Sequence, residues 1–409
     1  METRPLRVAY LPDSFHEVNG VAHTSRQFEA FARRRGLPFL CVRAGTRELH
    51  HAQDKGVETL EIERGRLSIA LEKDLRFDAG FARHLPQMAR TLKAFRPDVI
   101  HVTGPSELGL LGLALAKWLR VPLAASWHTN LHEYAARRST KLMDNERLAK
   151  LIEAGSLGVL TSFYSFAHTL FAPNAQICAM LAERTGRPCR LMARGVDADF
   201  FSPTHRQRPK DDGEFVLGYV GRFSREKNVF LLGRMDAELK ARGFNNVRFL
   251  LVGQGGQEAW LREHLPQARF TGVLRGRALA EAFASMDAFV FPSHTDTFGN
   301  VVLEALASGV PAIVTADGGP CTIVRDGITG IVTNDNGFGA AVARLMTAPE
   351  LHAQMRMAAR EDALGASWDA VFDNVYAGYS AMLATPARRA KQRRAAAGKQ
   401  RVPAVRSKG

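Results

Sequence analysis

Four polar segments, each closing a short apolar run, hold the side chains best suited to chemistry. The richest runs Phe291-Pro292-Ser293-His294-Thr295-Asp296-Thr297-Phe298-Gly299-Asn300, and the apolar helical stretch after it carries Glu304 and stops at Gly309. A helix opening at Phe298-Gly299-Asn300 offers free backbone N–H groups that suit a diphosphate. Glu304 lies between Leu303, Ala305 and Leu306. A carboxylate in that setting needs donors, and a ribose diol supplies two. The structural alternative makes Asp296 a helix cap and Glu304 one half of a buried ion pair. In the second segment, Gly221 to Asn228, Arg222 and Lys227 follow a strand and precede a helix. Two cations there can offset a diphosphate leaving group, or form a solvated basic loop. Gly20 ends the third segment, Pro12 to Gly20. It either lets a phosphate approach the backbone at a helix start or serves as a turn glycine. The fourth, Ser126-Trp127-His128-Thr129, places His128 at a strand end. That imidazole can meet a sugar or a developing charge, or be a purely structural histidine. His101 ends the preceding strand.

These segments need elements to hold them, and the pattern supplies βα units. Apolar runs alternate with stretches of helical period, which is how a parallel sheet reads. Strands are predicted over 7–11, 39–42, 99–102, 123–126 and 169–172, with helices over 21–35 and 107–119. Between 201 and 213 the chain turns polar, with Pro203 and Pro209. A second series follows over 215–220, 247–252, 288–291 and 312–315, then helices over 349–362 and 367–383. The expected fold class is α/β, with two doubly wound, parallel-sheet, Rossmann-like domains. Their divisions are 1–200, a linker 201–213, and 214–366, followed by a helix 367–385 and a basic tail 386–409 expected to be disordered. In such sheets ligands bind beyond the carboxyl ends of the strands, where all four segments fall.

Composition narrows the class. A chain of 409 residues, 46% hydrophobic and 23% charged, is long enough for two cores. The longest apolar stretch, 108–116, is far below the roughly 18 residues of a membrane span and reads as a buried helix. Because 7–11 already reads as a strand, no secretory leader is expected, and the expected location is the cytoplasm. Cys41, Cys178, Cys189 and Cys321 show no C-x-x-C pairing, so neither a zinc site nor a disulfide framework is expected. Of the net charge of +14, nine positive charges lie in the last 24 residues, so the excess is largely a tail property. Asp197-Ala198-Asp199 has metal-site spacing but reads as a turn beside the linker. Gly253-Gln254-Gly255-Gly256 lacks the later glycine of a dinucleotide fingerprint.

Taken in order, the motifs resemble the retaining glycosyltransferases of GT-B fold in the large group 1 family. That family includes bacterial GDP-mannose-dependent alpha-mannosyltransferases, phosphatidylinositol mannosyltransferases, sulfoquinovosyl transferases and sucrose synthases. The resemblance covers about residues 5–383. It is carried by Val18-Asn19-Gly20-Val21, Ser126-Trp127-His128-Thr129, Arg194-Gly195-Val196-Asp197 with Phe201-Ser202-Pro203, Gly221-Arg222 with Lys227, and Thr297-Phe298-Gly299 with Glu304-Ala305. It implies two domains facing a cleft, with the C-terminal helix crossing back to the first. It further implies that Arg222 and Lys227 hold the donor diphosphate, Glu304 the ribose, and the backbone from Thr297 through Phe298 and Gly299 to Asn300 the sugar and phosphates. Gly20 would touch the phosphates from the first domain and His128 the transferred sugar. No metal or other cofactor is implied beyond the nucleotide-sugar co-substrate, with GDP-mannose favoured over UDP-sugars. Asp296 departs from the family's usual Glu, and its shorter arm bears on which sugar hydroxyl is reached.

A lipid or glycolipid acceptor at an anionic membrane surface is the expectation from Arg33-Arg34-Arg35, from Arg137, Arg138 and Lys141, and from the basic tail. Two rival readings are a GT-B nucleotide-sugar epimerase and a protein that binds nucleic acid or an anionic surface through its tail. The second leaves the strand-end motifs without purpose, and no specific nucleic-acid partner is expected.

Overall fold

The computed structural model describes residues 4–17, 19–45, 50–65, 68–72, 75–78, 80–128, 155, 157–209 and 212–399. Val18, Thr129, Arg137, Arg138, Lys141 and the last ten residues of the expected tail lie outside them.

The first half forms β1 (Val8–Leu11), β2 (Phe39–Gly45), β3 (His50–Asp54), β4 (Val57–Glu63), a hairpin of β5 (Ser68–Glu72) and β6 (Leu75–Asp78), β7 (Val99–Val102), β8 (Leu123–Ser126), β9 (Thr169–Ala172) and β10 (Cys189–Leu191). Its helices are α1 (Gly20–Arg34), α2 (Leu85–Phe95), α3 (Glu107–Leu119), α4 (157–164) and α5 (Ala175–Thr185). Eight strands make one sheet in the order β10-β9-β8-β7-β1-β2-β4-β3. All pairs are parallel except the edge pair of β3 and β4. Because successive strand residues point to opposite faces, the sheet builds two cores. Ala9, Leu11, Leu40, Val42, Ile100 and Val102 pack under α2, α3 and α4. Val8, Tyr10, Phe39, Cys41 and Val99 pack under α1 on the other face.

The second half repeats the plan with β11 (Phe215–Val220), β12 (Val247–Val252), β13 (Arg269–Gly272), β14 (Ala288–Phe291), β15 (Ala312–Thr315) and β16 (Gly330–Thr333). The helices are α6 (Phe230–Ala241), α7 (Glu258–His264), α8 (Gly276–Ala284), α9 (Asn300–Ala307), α10 (Phe338–Thr347), α11 (Pro349–Gly365) and α12 (Trp368–Lys399). Strand order β13-β12-β11-β14-β15-β16 reverses direction between β11 and β14, the doubly wound arrangement.

Sequence pattern finds the interior strands except β4, and misses β3, β5, β6, β10, β13 and β16 as well. These lie at or near sheet edges or in the small hairpin, so they need no continuous apolar run; β3 reads His-His-Ala-Gln-Asp. The crossing between cores also differs from the expected linker. Met192 is buried with the first core and Val196 with the second, so the chain crosses at 193–195. Residues 201–209 of that stretch are tied to the second unit, with Phe201 buried there and Arg206 and Arg208 both holding Asp287 at 3.0 and 2.5 Å. The chain returns beside this point: Ala366 O accepts from Val196 N at 2.9 Å. Trp368, Phe372, Val375 and Tyr379 of α12 then enter the first domain's core, Phe372 stacking on Phe28 at 4.4 Å.

Three further expectations change. The helix does not stop at 385 with disorder beyond; it runs to Lys399, because 387–399 is rich in Ala, Arg and Lys, all strong helix formers. The stretch 108–116 is not buried all round, as Leu110 faces solvent. Cys178 and Cys189 come together across α5 and β10, with sulfurs 3.3 Å apart as free thiols.

Candidate active site

The reversal of strand order explains why segments far apart in sequence meet. β11 and β14 are neighbours, so the loops at their carboxyl ends share one crevice. Lys227, leaving β11, donates to both oxygens of Asp296, leaving β14, at 2.6 and 2.7 Å. Arg222 is far more open, with its guanidinium 3.6 Å from Glu226. Burial, and then the charges of Asp296 and Glu226, push the Tyr219 phenol up, and its hydroxyl donates to Arg222 O at 2.8 Å. The cluster therefore sets two cations against two carboxylates.

The loop 294–299 is shaped from beneath by Asp317-Gly318-Gly319-Pro320 after β15. Gly319 N donates to Asp296 O at 2.6 Å, and a Cβ on Gly319 would lie 2.1 Å from Thr297 O. Only glycine permits that approach. Gly299 has φ +97°, a left-handed turn that opens α9 at Asn300. Across the crevice, Gly20 opens α1, and a Cβ built on it would stand 3.8 Å from Asn300 Nδ2. Two helix starts, one from each domain, thus face each other, and both direct free N–H groups and positive dipole ends to the same place.

Glu304 lies one turn beyond Asn300 on the same face of α9. It is half-buried, and among the described residues its carboxyl has no hydrogen-bond or ion-pair partner. Burial pushes its pKa from 4.5 to about 7. It is not one half of an ion pair, nor is Asp296 a cap, since Asn300 begins the helix with Gly299 before it.

His128 is buried, and both ring nitrogens are in use. Nδ1 lies 2.8 Å from Arg194 Nη2, and Nε2 lies 2.6 Å from Ser126 Oγ. Arginine can only donate, so Nδ1 accepts and Nε2 carries the proton. Ser126 then donates to His101 Nε2 at 2.9 Å, and His101 Nδ1–H is left to donate to the Tyr379 hydroxyl of α12. Burial, with the adjacent Arg194 charge, depresses the His128 pKa well below the usual range. Burial alone lowers His101 to about 3. Arg194 is lowered to about 10 by its own burial. His128 is therefore a neutral, fixed group, and its imidazole does not reach into the crevice as a free acid or base. Its carbonyl does face the second domain, accepting from Thr297 Oγ1 at 3.1 Å, while Asn174 Nδ2 donates to Thr297 O at 2.9 Å.

The structure thus gathers Gly20, Lys227, Asp296, Thr297, Phe298, Gly299, Asn300 and Glu304 at one interdomain crevice, with Arg222 at its open edge. Sequence reasoning passed over Asn174, Gly319 and Tyr379, and treated Arg194 only as part of a motif. The Asp317-Gly318-Gly319-Pro320 run after a strand was a readable signal; nothing local marked Asn174 or Tyr379. Asp197 behaves as the turn it resembles, its Oδ1 accepting from Phe200 N at 2.9 Å. Asp13, after β1, was also passed over: burial raises its carboxyl to about 6 against a hydrogen bond from Ser106.

Two doubly wound domains with their strand-end loops turned to a shared crevice, and a cation–carboxylate cluster there, define a GT-B glycosyltransferase. Solved structures of the same architecture include a sucrose-phosphate synthase from Thermosynechococcus elongatus, with a TM-score of 0.70 at 20% identity over 93% of this chain and 100% of that one. Another is Anabaena HepE in complex with UDP and glucose, at 0.66 and 16% over 92% and 100%. The model described as Glycosyltransferase Family 4 matches residues 18–225, and that described as Glycosyl transferases group 1 matches 201–362. The chain belongs to this glycosyltransferase family. A relative from Mycolicibacterium smegmatis, named GDP-mannose-dependent alpha-mannosyltransferase, is 32% identical over 92% of this chain and 98% of its own length. One of the same name from Corynebacterium glutamicum is 28% identical over 93% and 90%. The Arabidopsis thaliana sulfoquinovosyl transferase SQD2 is 29% identical over 64% and 52%.

Proposed function

We propose that this glycosyltransferase moves mannose from GDP-mannose to a hydroxyl of a lipid or glycolipid acceptor, with retention of anomeric configuration. The observation that carries the donor side is the bidentate contact of Lys227 with Asp296 beneath two facing helix starts. A diphosphate entering there takes the remaining Nζ–H of Lys227, which keeps its hold on Asp296, draws Arg222 to its oxygens and lies against the N–H groups of 298–300, so the developing charge of the leaving GDP is met by preorganised donors. These two side chains supply the positive charge on the reading that no metal ion takes part. Glu304 accepts from the ribose hydroxyls, and Thr297, held from the first domain by Asn174 and His128, sets the lip of the sugar site. Mannose and guanine are supported by full-length similarity to relatives named for GDP-mannose.

Retention is supported by what the site withholds. The His128 ring is committed on both sides, and Asp296 is neutralised by Lys227, so neither serves as a base or nucleophile behind the sugar. The acceptor hydroxyl then attacks from the face that the diphosphate leaves. The test is a panel of GDP- and UDP-sugars with extracted lipids and soluble sugars, following label into product and reading the anomer by NMR. Label moving from GDP-mannose into lipid as the α-anomer is expected. Turnover of a UDP-sugar alone, an inverted product, or label confined to soluble sugars overturns the corresponding element.

A further inference from the structure

Of the cations expected to meet a membrane, Arg33, Arg34 and Arg35 are already occupied. Arg33 pairs with Glu29 and Asp54 at 2.9 and 3.0 Å, Arg34 with Asp369, and Arg35 with Asp373 at 3.2 Å. They fasten α1 to α12 and to the sheet edge. The open face of the first domain lies on the opposite side of the sheet, on α2, α3 and α4.

There α3 is apolar on both sides. Leu108, Gly112, Leu115 and Ala116 go into the core, while Leu110, Ala114 and Trp118, at spacings of four on one stripe, face out. Leu110 is 47% and Trp118 59% exposed. On the adjoining α4 side, Val159 is 73% and Phe166 61% exposed. The helices are contiguous: Lys93 of α2 sits over the Trp118 ring at 4.2 Å, and Phe163 of α4 backs Gly109 of α3. Five exposed cations flank this strip, Arg90, Lys93 and Arg96 from α2 and its end, Lys117 and Arg120 from α3. None pairs with a carboxylate among the described residues. Neither helix shows an exposed acid, since Glu107 is buried against Arg64.

We infer that the outer face of α2, α3 and α4 docks on an anionic lipid bilayer, with Trp118, Leu110 and Phe166 entering the interface and the five cations meeting phosphate headgroups. Tryptophan and long basic stems are the side chains that such an interface favours, because each has an apolar body and a polar end. No helix of the described residues is long and apolar enough to cross a membrane, so attachment by this face is peripheral. A second copy is a poor occupant. A twofold contact would set the five cations of one copy against the same five of the other. The inference gives the lipid-acceptor reading its surface and rests on that reading for its purpose, but vesicle binding is measured without donor or acceptor, so each can fail alone.

The test is sedimentation of the full chain with vesicles of phosphatidylcholine alone and with 30 mol% phosphatidylglycerol added, at low and at 0.5 M salt. Binding to the anionic vesicles only, weakened by salt, is expected. Lys93→Glu with Lys117→Glu should lower it at least tenfold, as should Leu110→Ser with Trp118→Ser. Arg269→Glu with Arg275→Glu, the same charge change on the second domain, should retain binding. Circular dichroism melts matching the parent exclude misfolding as the cause. No binding by the parent, parent-like binding by either face variant, or a dimer that Trp118→Ser dissolves would each overturn the inference. So would capture of an acidic protein by this face with no vesicle binding. Transfer to detergent-dispersed lipid without vesicle binding refutes the docking face alone, and vesicle binding without lipid transfer refutes the acceptor alone.

Discussion

Replacing Glu304 by glutamine isolates the one carboxyl of the crevice that no described side chain neutralises. Burial lifts its pKa from 4.5 to about 7, so between those values the folded chain holds this proton more tightly than the unfolded one. The sign follows: the group's contribution to stability is best below 4.5, falls as pH rises to 7, and is constant above. The whole span corresponds to about 3 kcal/mol, of which about 2 kcal/mol falls between pH 5.5 and 8.5. Glutamine keeps the shape and cannot ionise. Urea unfolding of parent and Glu304→Gln at the two pH values should therefore show the variant gaining about 2 kcal/mol on the parent as pH rises. A ribose diol donates to the ionised form and favours it. At pH 6.5, GDP binding to the parent should release protons, seen by calorimetry in two buffers of different ionisation enthalpy, and binding to the variant should not. Parallel pH dependence of the two unfolding curves, with equal proton release, would refute both the burial argument and the ribose contact.

Lys227→Ala and Arg222→Ala should each lower kcat/KM by about a hundredfold or more, the scale of losing one charge-stabilising donor; full activity in both removes the diphosphate clamp. With His101 and His128 depressed by burial, neither should contribute a step to the profile of kcat/KM against pH between 5 and 8. An acid limb near 7 should belong to Glu304 and vanish in Glu304→Gln. Tyr379→Phe leaves the buried His101 Nδ1–H without an acceptor and should cost about 1 to 3 kcal/mol in urea unfolding, while the nitrogen-15 signature of the His128 tautomer stays unchanged because Arg194 still fixes it; a His128 proton on Nδ1 would refute the chain of hydrogen bonds. Gly319→Ala puts a methyl against Thr297 O and should weaken GDP binding at least tenfold in calorimetry, with a lower Tm.

Much of the site was readable because parallel strands buried on both faces leave apolar runs, and their carboxyl ends mark where ligands lie. Lys227, Asp296, Thr297, Phe298, Gly299, Asn300 and Glu304 could be named on that ground alone. Residue order also determined the two doubly wound halves and the helix start at Asn300. Tertiary structure decided what those groups do. Thr297 and His128 are 169 positions apart and meet only because two sheets face each other. His128, read as a group free to touch sugar, proves to be locked between Arg194 and Ser126, since burial and a donor-only neighbour leave it one tautomer. Arg33, Arg34 and Arg35 looked like a membrane patch; instead Arg34 and Arg35 fasten α12, whose Asp369 and Asp373 come from the far end of the chain, and Arg33 is held by Glu29 and Asp54. An apolar helix such as α3 reads the same whether its second face meets protein or solvent, because periodicity records which residues are apolar and not what covers them.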